Sequence, residues 1–260
     1  MKILQCGYGH IGQVLFQDFQ KMATASKAAL SVYDPYSPNC PYKVNDLHEH
    51  YNFAFVCVPT DKMDSGSADI SIVVDLCNRI DADVIIIKST IPVDIIRFLP
   101  QNAIFSPEFT GTTPHSGLHN YVVLGGSRGL CNKVAYLYTL IHSADFEIIY
   151  TDIKTAIIAK YMENCFLALK VTFCNEIALA CKKEGVEYED VRNIFIKDSR
   201  INASHTFVYE ETPYYDSHCF NKDIPAFNAQ FNLPLMCAVE RINTDMKNAA
   251  LNRADGVSHE

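Results

Sequence analysis

Lys160 and Asn164 stand one helical turn apart in the stretch TDIKTAIIAKYMENCFLALKVTFCNEIALACKKEG, and at about 100° per residue Asn175 returns to nearly the same face. An ammonium partly withdrawn from water on an apolar helix is suited to proton transfer. The plainer alternatives are a lysine snorkelling to the surface and asparagines satisfying ordinary N–H and C=O groups. A second cluster is His218-Cys219-Phe220-Asn221-Lys222-Asp223, in which a thiol precedes a carboxylate by four residues. A helix N-terminus and the adjacent Lys222 would favour the thiolate at Cys219, while Asp223 opposes it, so the net sign stays open. The third is Gly7-Tyr8-Gly9-His10-Ile11-Gly12, directly after the apolar run Lys2 to Cys6. Here the first glycine makes a turn, the second lets backbone N–H groups approach a pyrophosphate, and the third lets helix and strand pack closely. Asp34, ending the next strand, would accept a ribose 2′-hydroxyl and repel a 2′-phosphate, which favours NAD over NADP.

The elements that must hold these residues alternate. Leu30 to Tyr33, Phe53 to Val58, Val84 to Ile87, Ala103 to Phe105, Tyr121 to Leu124 and Phe146 to Ile149 read as strands, with helices from Gln13 and over Ala68 to Ile80. The pattern predicts an α/β fold: a Rossmann-type, doubly wound, mostly parallel sheet over residues 1–150. Pro59-Thr60, Ser89-Thr90 and Glu108 follow strand ends, where such sheets bind ligands. An all-helical domain over 151–260 is expected to follow, built on one long helix capped by Thr151 or Asp152 and stopped by Gly185. That helix is too apolar to face water all round, which predicts that it lies between packed bodies. A shorter helix near Glu189 to Ile196, one starting at Ile224 with Asp223 as N-cap and Pro225 in its first turn, and one from about Leu235 to Leu251 complete the expectation.

Composition narrows the classes. The 260 residues are 48% hydrophobic and 20% charged, as in a soluble globular protein. No uninterrupted apolar run approaches a membrane span, and MKILQCGYGH reads as a strand, not a signal peptide. A net charge of −8 argues against nucleic acid or an anionic membrane as the main partner. The ten cysteines include no C-x-x-C pair, and no metal site is expected; reduced cytoplasm fits them best.

In order along nearly the whole chain, GYGHIG, VCVPT, KSTIPV, SPEF, the Lys160/Asn164 pair followed by Asn175-Glu176, Ser199-Arg200-Ile201 and HCFNKD resemble motifs of the nucleotide-sugar dehydrogenases, the group of UDP-glucose 6-dehydrogenase. Each motif is weak alone; their order and spacing make the match specific. The resemblance implies oxidation of a nucleotide-sugar C6 alcohol to the carboxylate (UDP-glucose to UDP-glucuronate type) with two NAD, through a cysteine thiohemiacetal and thioester. It implies Cys219 as nucleophile, Lys160 and Asp223 as handlers of protons and the developing oxyanion, and Asn164 as a hydrogen-bond donor beside them. Glu108 and Thr90 would hold the hydrolytic water. Glu108, Phe109, Lys160, Asn164 and Arg200 would face substrate, with Arg200 reaching across a homodimer formed through the long helix 151–184. Gly7 to Gly12, Asp34, Pro59, Thr60, Ser89, Thr90 and Lys222 would line the cofactor.

Four departures qualify the match. Tyr214-Tyr215-Asp216-Ser217 replaces a glycine-rich loop, Asn221 replaces the proline of CFPKD, and Thr112 stands where the family has a second glutamate. The chain is also expected to be a shortened form without the family's C-terminal nucleotide-binding domain. Two other readings therefore remain: a one-step hydroxyacid dehydrogenase, which would leave Cys219 idle, and a catalytically weak or inactive dinucleotide-binding or interaction protein.

Overall fold

A computed structural model describes residues 1–109 and 119–257, with side chains described through 253. Thr112 lies outside the described residues. The elements are β1 (Lys2–Cys6), α1 (His10–Ala25), β2 (Ala29–Tyr33), β3 (Lys43–Val44), β4 (Tyr51–Val56), α2 (Ser71–Arg79), β5 (Ala82–Ile87), a 3-10 helix (Val93–Phe98), β6 (Ala103–Phe105), β7 (Tyr121–Gly125), α3 (Arg128–Thr139), β8 (Glu147–Thr151), α4 (Ile153–Glu184), α5 (Tyr188–Phe195), α6 (His218–Phe231) and α7 (Pro234–Val257). The described residues fall into two compact units, one of 1–61, 68–109 and 119–160, the other of 62–67 and 161 onward.

The first unit is built on a sheet of order β3-β2-β1-β4-β5-β6-β7-β8. All neighbours pair in parallel except β6 and β7. Strands covered on both faces must be apolar throughout, and Phe53 to Val56 and Val84 to Ile87 are fully or nearly fully buried. Phe19 of α1 stacks on Phe55 of β4 at 4.1 Å, at the centre of the core below the glycine turn. The Rossmann-type α/β architecture is thus as the alternation predicts. The unforeseen strand is β3, whose two residues are too few to carry a periodic signal.

The reversal at β7 has a positional effect. Its register sets Phe105, Gly125 and Thr151 side by side, so β6, β7 and β8 all end at one level. The segment bearing Glu108 and the start of α4 therefore leave the sheet from one level, running in opposite senses. Packing there is tight: a Cβ on Gly125 would lie 2.7 Å from Ala156 Cβ and 2.9 Å from Asp152 O.

α4 begins as its sequence predicts, with Asp152 accepting the Thr155 N–H at 2.9 Å, and Gly185 ends it at a φ of +66°. Ala156, Ile157, Tyr161 and Ala168 are buried along one side. On another, Ile158, Met162, Phe166 and Phe173 are exposed, so this side of the helix is left without the packed cover that its apolar content predicts. By length and composition α4 could cross a membrane, with mean hydropathy 1.3 over 18 residues. The absence of a long uninterrupted apolar run conceals this, because Lys160, Asn164 and Asn175 punctuate the helix. The same test is passed by core helices of soluble proteins.

The start of α6 departs from expectation. Asp223 is not an N-cap and Pro225 is not in a first turn; both lie inside a helix that begins at His218. Ser217 is the cap, its Oγ accepting the Phe220 N–H at 3.1 Å. This earlier cap outcompetes the later one, and the helix forgoes the backbone bond that Pro225 cannot donate.

Candidate active site

In the first unit the glycine turn has the geometry its residues predict. Gly7 has φ +93°, its N–H donates to Tyr33 O at 2.9 Å, and a Cβ on it would lie 2.3 Å from Cys57 O. Gly12 approaches the turn equally closely: a Cβ there would lie 2.3 Å from Gly7 O. Gly9 meets nothing within 4 Å, which leaves room above the backbone. α1 starts without a side-chain cap and without an acidic residue in its first turn, so its leading N–H groups are available to an anion. Tyr8 and Ile11 are half-buried, and His10 is exposed.

Asp34 closes this cradle. Its Oδ2 accepts from Tyr8 N at 2.7 Å and its Oδ1 from Tyr36 N and Ser37 N at 2.8 and 3.0 Å. A carboxylate accepts about four hydrogen bonds, which leaves capacity for a ribose hydroxyl. Thr60 donates to Thr90 O at 2.9 Å, while Ser89 Oγ bridges Val58 N (2.9 Å) and Val58 O (2.7 Å), locking the ends of β4 and β5; Pro59 beside them is exposed. These residues fit a dinucleotide.

The ends of β5 and β6 meet in a buried ion pair. Lys88 Nζ lies 3.4 Å from Glu108 Oε2, with the lysine side chain 2% exposed. Burial pulls the Lys88 pKa down, but Tyr138, Glu108 and Cys57 outweigh it and leave the value raised. Glu108 Oε1 accepts the Phe109 N–H at 3.1 Å, so both carboxylate oxygens are held. Lys160, two turns into α4, lies over the Phe109 ring at 4.9 Å and is 8% exposed, which excludes the snorkelling alternative. Sequence reasoning missed Lys88. The available signal was a lysine directly after four buried aliphatic residues.

In the second unit, Cys219 is exposed in the first turn of α6. One turn on, Asp223 is buried and accepts from Asn164 Nδ2 at 2.6 Å and from Lys222 Nζ at 2.6 Å. A hydrogen bond to a buried carboxylate contributes about 1.5–3 kcal/mol, so the Asn164 bond fastens α6 to α4. Asn164 has a second amide hydrogen to offer elsewhere. Lys222 serves as counter-charge to Asp223, its Nζ 2.6 Å from Oδ1. Arg200 is bound by Asp198 (Nη2 to Oδ2, 2.6 Å), with its side chain 86% exposed. Asn175 donates to Val171 O within α4 and joins neither Asn164 nor Asp223.

The segment that replaces the glycine loop is fastened to α7. Asn243 clasps the Tyr215 backbone twice, accepting from its N–H at 2.7 Å and donating to its O at 3.1 Å. Asp216 bonds Lys247 and Asn221, both at 2.7 Å. Nothing in the local sequence marks Asn243 for this task, since the contact spans 28 residues.

Residues 154–245 match the UDP-glucose/GDP-mannose dehydrogenase family, central domain. A UDP-glucose 6-dehydrogenase of Rickettsia bellii is 29% identical over 256 residues, covering 85% of this chain and 57% of that protein. UDP-glucose 6-dehydrogenase YwqF of Bacillus subtilis is 30% identical over 233 residues, covering 78% and 52%. This chain thus spans about half the length of the curated relatives it matches. The structure superposes on a UDP-glucose dehydrogenase from Pyrobaculum islandicum (TM-score 0.73, 19% identity, 94% of this chain and 68% of that one). It also superposes on a UDP-D-ManNAc dehydrogenase from Pyrococcus horikoshii (0.75, 21%, 95% and 69%). At these identities the superpositions speak to the fold.

Proposed function

We propose that this chain, which belongs to the nucleotide-sugar dehydrogenase family, binds NAD and oxidises the C6 alcohol of a nucleotide sugar, of UDP-glucose type, to the carboxylate through a covalent cysteine adduct. The observation that carries the reading is the arrangement on α6: an exposed thiol in the first turn, and one turn later a buried carboxylate bonded to Asn164. A helix N-terminus favours the thiolate form of a cysteine in its first turn.

Gly7 to Gly12, Asp34, Pro59, Thr60, Ser89, Thr90 and Lys222 would hold the cofactor. NAD held there would supply hydride acceptance, one molecule for each of the two hydrides that a four-electron oxidation releases. Lys160 and Asp223 would move the alcohol proton, and the free hydrogen of the Asn164 amide would donate to the oxygen as it gains charge. Cys219 would add to the aldehyde, giving a thiohemiacetal and, after the second hydride loss, a thioester. Glu108 and Thr90 would hold the water that cleaves it. Glu108 with Phe109 would also bound the sugar, and exposed Arg200 would reach substrate from a second copy.

That second copy would cover the exposed apolar stripe of α4, giving a homodimer. Ten thiols, eight of them buried, accord with a reducing cytoplasm.

Purified protein supplied with UDP-glucose and NAD is expected to form two NADH per sugar. Cys219→Ser should keep NAD binding and lose the second NADH. One NADH per substrate with Cys219→Ser fully active would replace this reading with a one-step hydroxyacid dehydrogenase. NAD binding without turnover on any nucleotide sugar would leave a binding protein.

A further inference from the structure

Gln5 sits in the middle of β1, flanked by buried apolar residues and itself 0% exposed. Its side-chain nitrogen donates to Gly7 O at 2.9 Å and to Gly12 O at 2.8 Å. Gly7 O is the atom that a Cβ on Gly12 would meet at 2.3 Å. The amide therefore lies beneath the point where the two ends of GYGHIG come together, and ties them. Its own Oε1 has no hydrogen-bond partner among the described residues. Turning the amide over would set that oxygen against two carbonyl oxygens, so the loop dictates its orientation. An aliphatic residue would suit the strand better and would bury no unpaired acceptor. What the glutamine adds is control of the turn. Two other side chains hold its outer part: Asp34 accepts from Tyr8 N, and Gln13 Nε2 donates to Tyr8 O at 3.0 Å.

We infer that Gln5 is a positioning residue for the cofactor: it fixes the Gly7–Gly12 turn, before ligand arrives, in the shape that presents the leading N–H groups of α1 to a pyrophosphate. This rests on the dinucleotide reading above. Gln5 touches no ligand; it acts through Gly7 and Gly12. Preorganisation of this kind raises affinity by removing the ordering cost from the binding step.

The test uses the full chain and Gln5→Leu, with NAD affinity by isothermal titration calorimetry and amide hydrogen exchange of the ligand-free protein. The variant is expected to melt within a few degrees of wild type. Its amides over 7–13 should exchange faster while those of α6 stay unchanged, and its NAD Kd should rise about tenfold, the scale of one or two lost hydrogen bonds. Unchanged NAD affinity in a folded variant overturns the inference, whatever the exchange shows. Weaker binding with unchanged exchange over 7–13 also overturns it. Should Gln5→Leu not fold, Gln5→Met, which keeps the length and lacks the donors, is measured in the same way. Wild-type NMR adds a check without any variant: both Gln5 side-chain amide protons should exchange slowly, and fast exchange overturns the inference. Wild-type protein that binds no NAD would instead sink the cofactor reading, a result distinguishable from loss of Gln5 control alone.

Discussion

A thiol in the first turn of a helix and a thiol inside a sheet are different reagents. Burial pushes Cys57, Cys77 and Cys165 up to about 12, and raises Cys6, where nearby Cys57 and Cys77 add to the effect. These groups stay protonated and enclosed at neutral pH, whereas Cys219 is exposed and Cys237 partly so. Limited iodoacetamide treatment at pH 7.5, followed by peptide mass spectrometry, should therefore mark Cys219 first and Cys237 more slowly. Modification of Cys57 or Cys165 ahead of Cys219 in folded protein would contradict this. Cys219, Lys160 and Asn164 were legible in the sequence because spacing and local polarity set them apart. Lys88 and Asn243 were not, because their partners are fixed by strand register and helix docking, and Gln5 was not, because its partners depend on the glycine turn folding back over β1. A lysine that ends an aliphatic run looks like a strand terminus until the neighbouring strand brings Glu108 beside it.

The junction of β7 and α4 is the element whose failure should be easiest to see. Gly125→Ala would drive a methyl group into Ala156 Cβ and Asp152 O, at 2.7 and 2.9 Å. Urea denaturation should show a loss of about 1–3 kcal/mol. Gly129→Ala in α3, where nothing lies within 4 Å, is the control and should be neutral or slightly stabilising. A second test concerns the fastening of α6 to α7. Hydrogen bonds from Lys247 and then Asn221 hold the Asp216 carboxyl below its ordinary 3.8. A lowered folded-state value means that this contribution is present above pH 3.8 and fades as pH falls through the depressed value. Both partners are more than one third exposed, so the effect is below about 1 kcal/mol. Urea midpoints of wild type and Asp216→Asn should differ at pH 7 and draw together as the pH is lowered below 3.8; a constant gap would remove Asp216 from the acid response. The sequence misplaced this element's start for a physical reason. Asp223-Ile224-Pro225 imitates a capped helix beginning, and Ser217 provides a better one six residues earlier.

For the whole molecule, the telling surface is α4. Its exposed Met162 (70%), Phe166 (58%) and Phe173 (47%) recur on one stripe, and the sequence disclosed an apolar helix without disclosing which side would stay uncovered. Contiguous apolar surface of this kind calls for a partner. Sedimentation of wild type at tens of micromolar should give a dimer and Phe166→Asp a monomer with its fold intact. A monomeric wild type that floats with lipid vesicles would assign the stripe to a membrane instead. If a second copy covers it, the folded state is linked to association by mass action. The temperature at which the protein unfolds would then climb as its concentration is raised and sink on dilution, so that heat resistance becomes a property of the solution as much as of the chain.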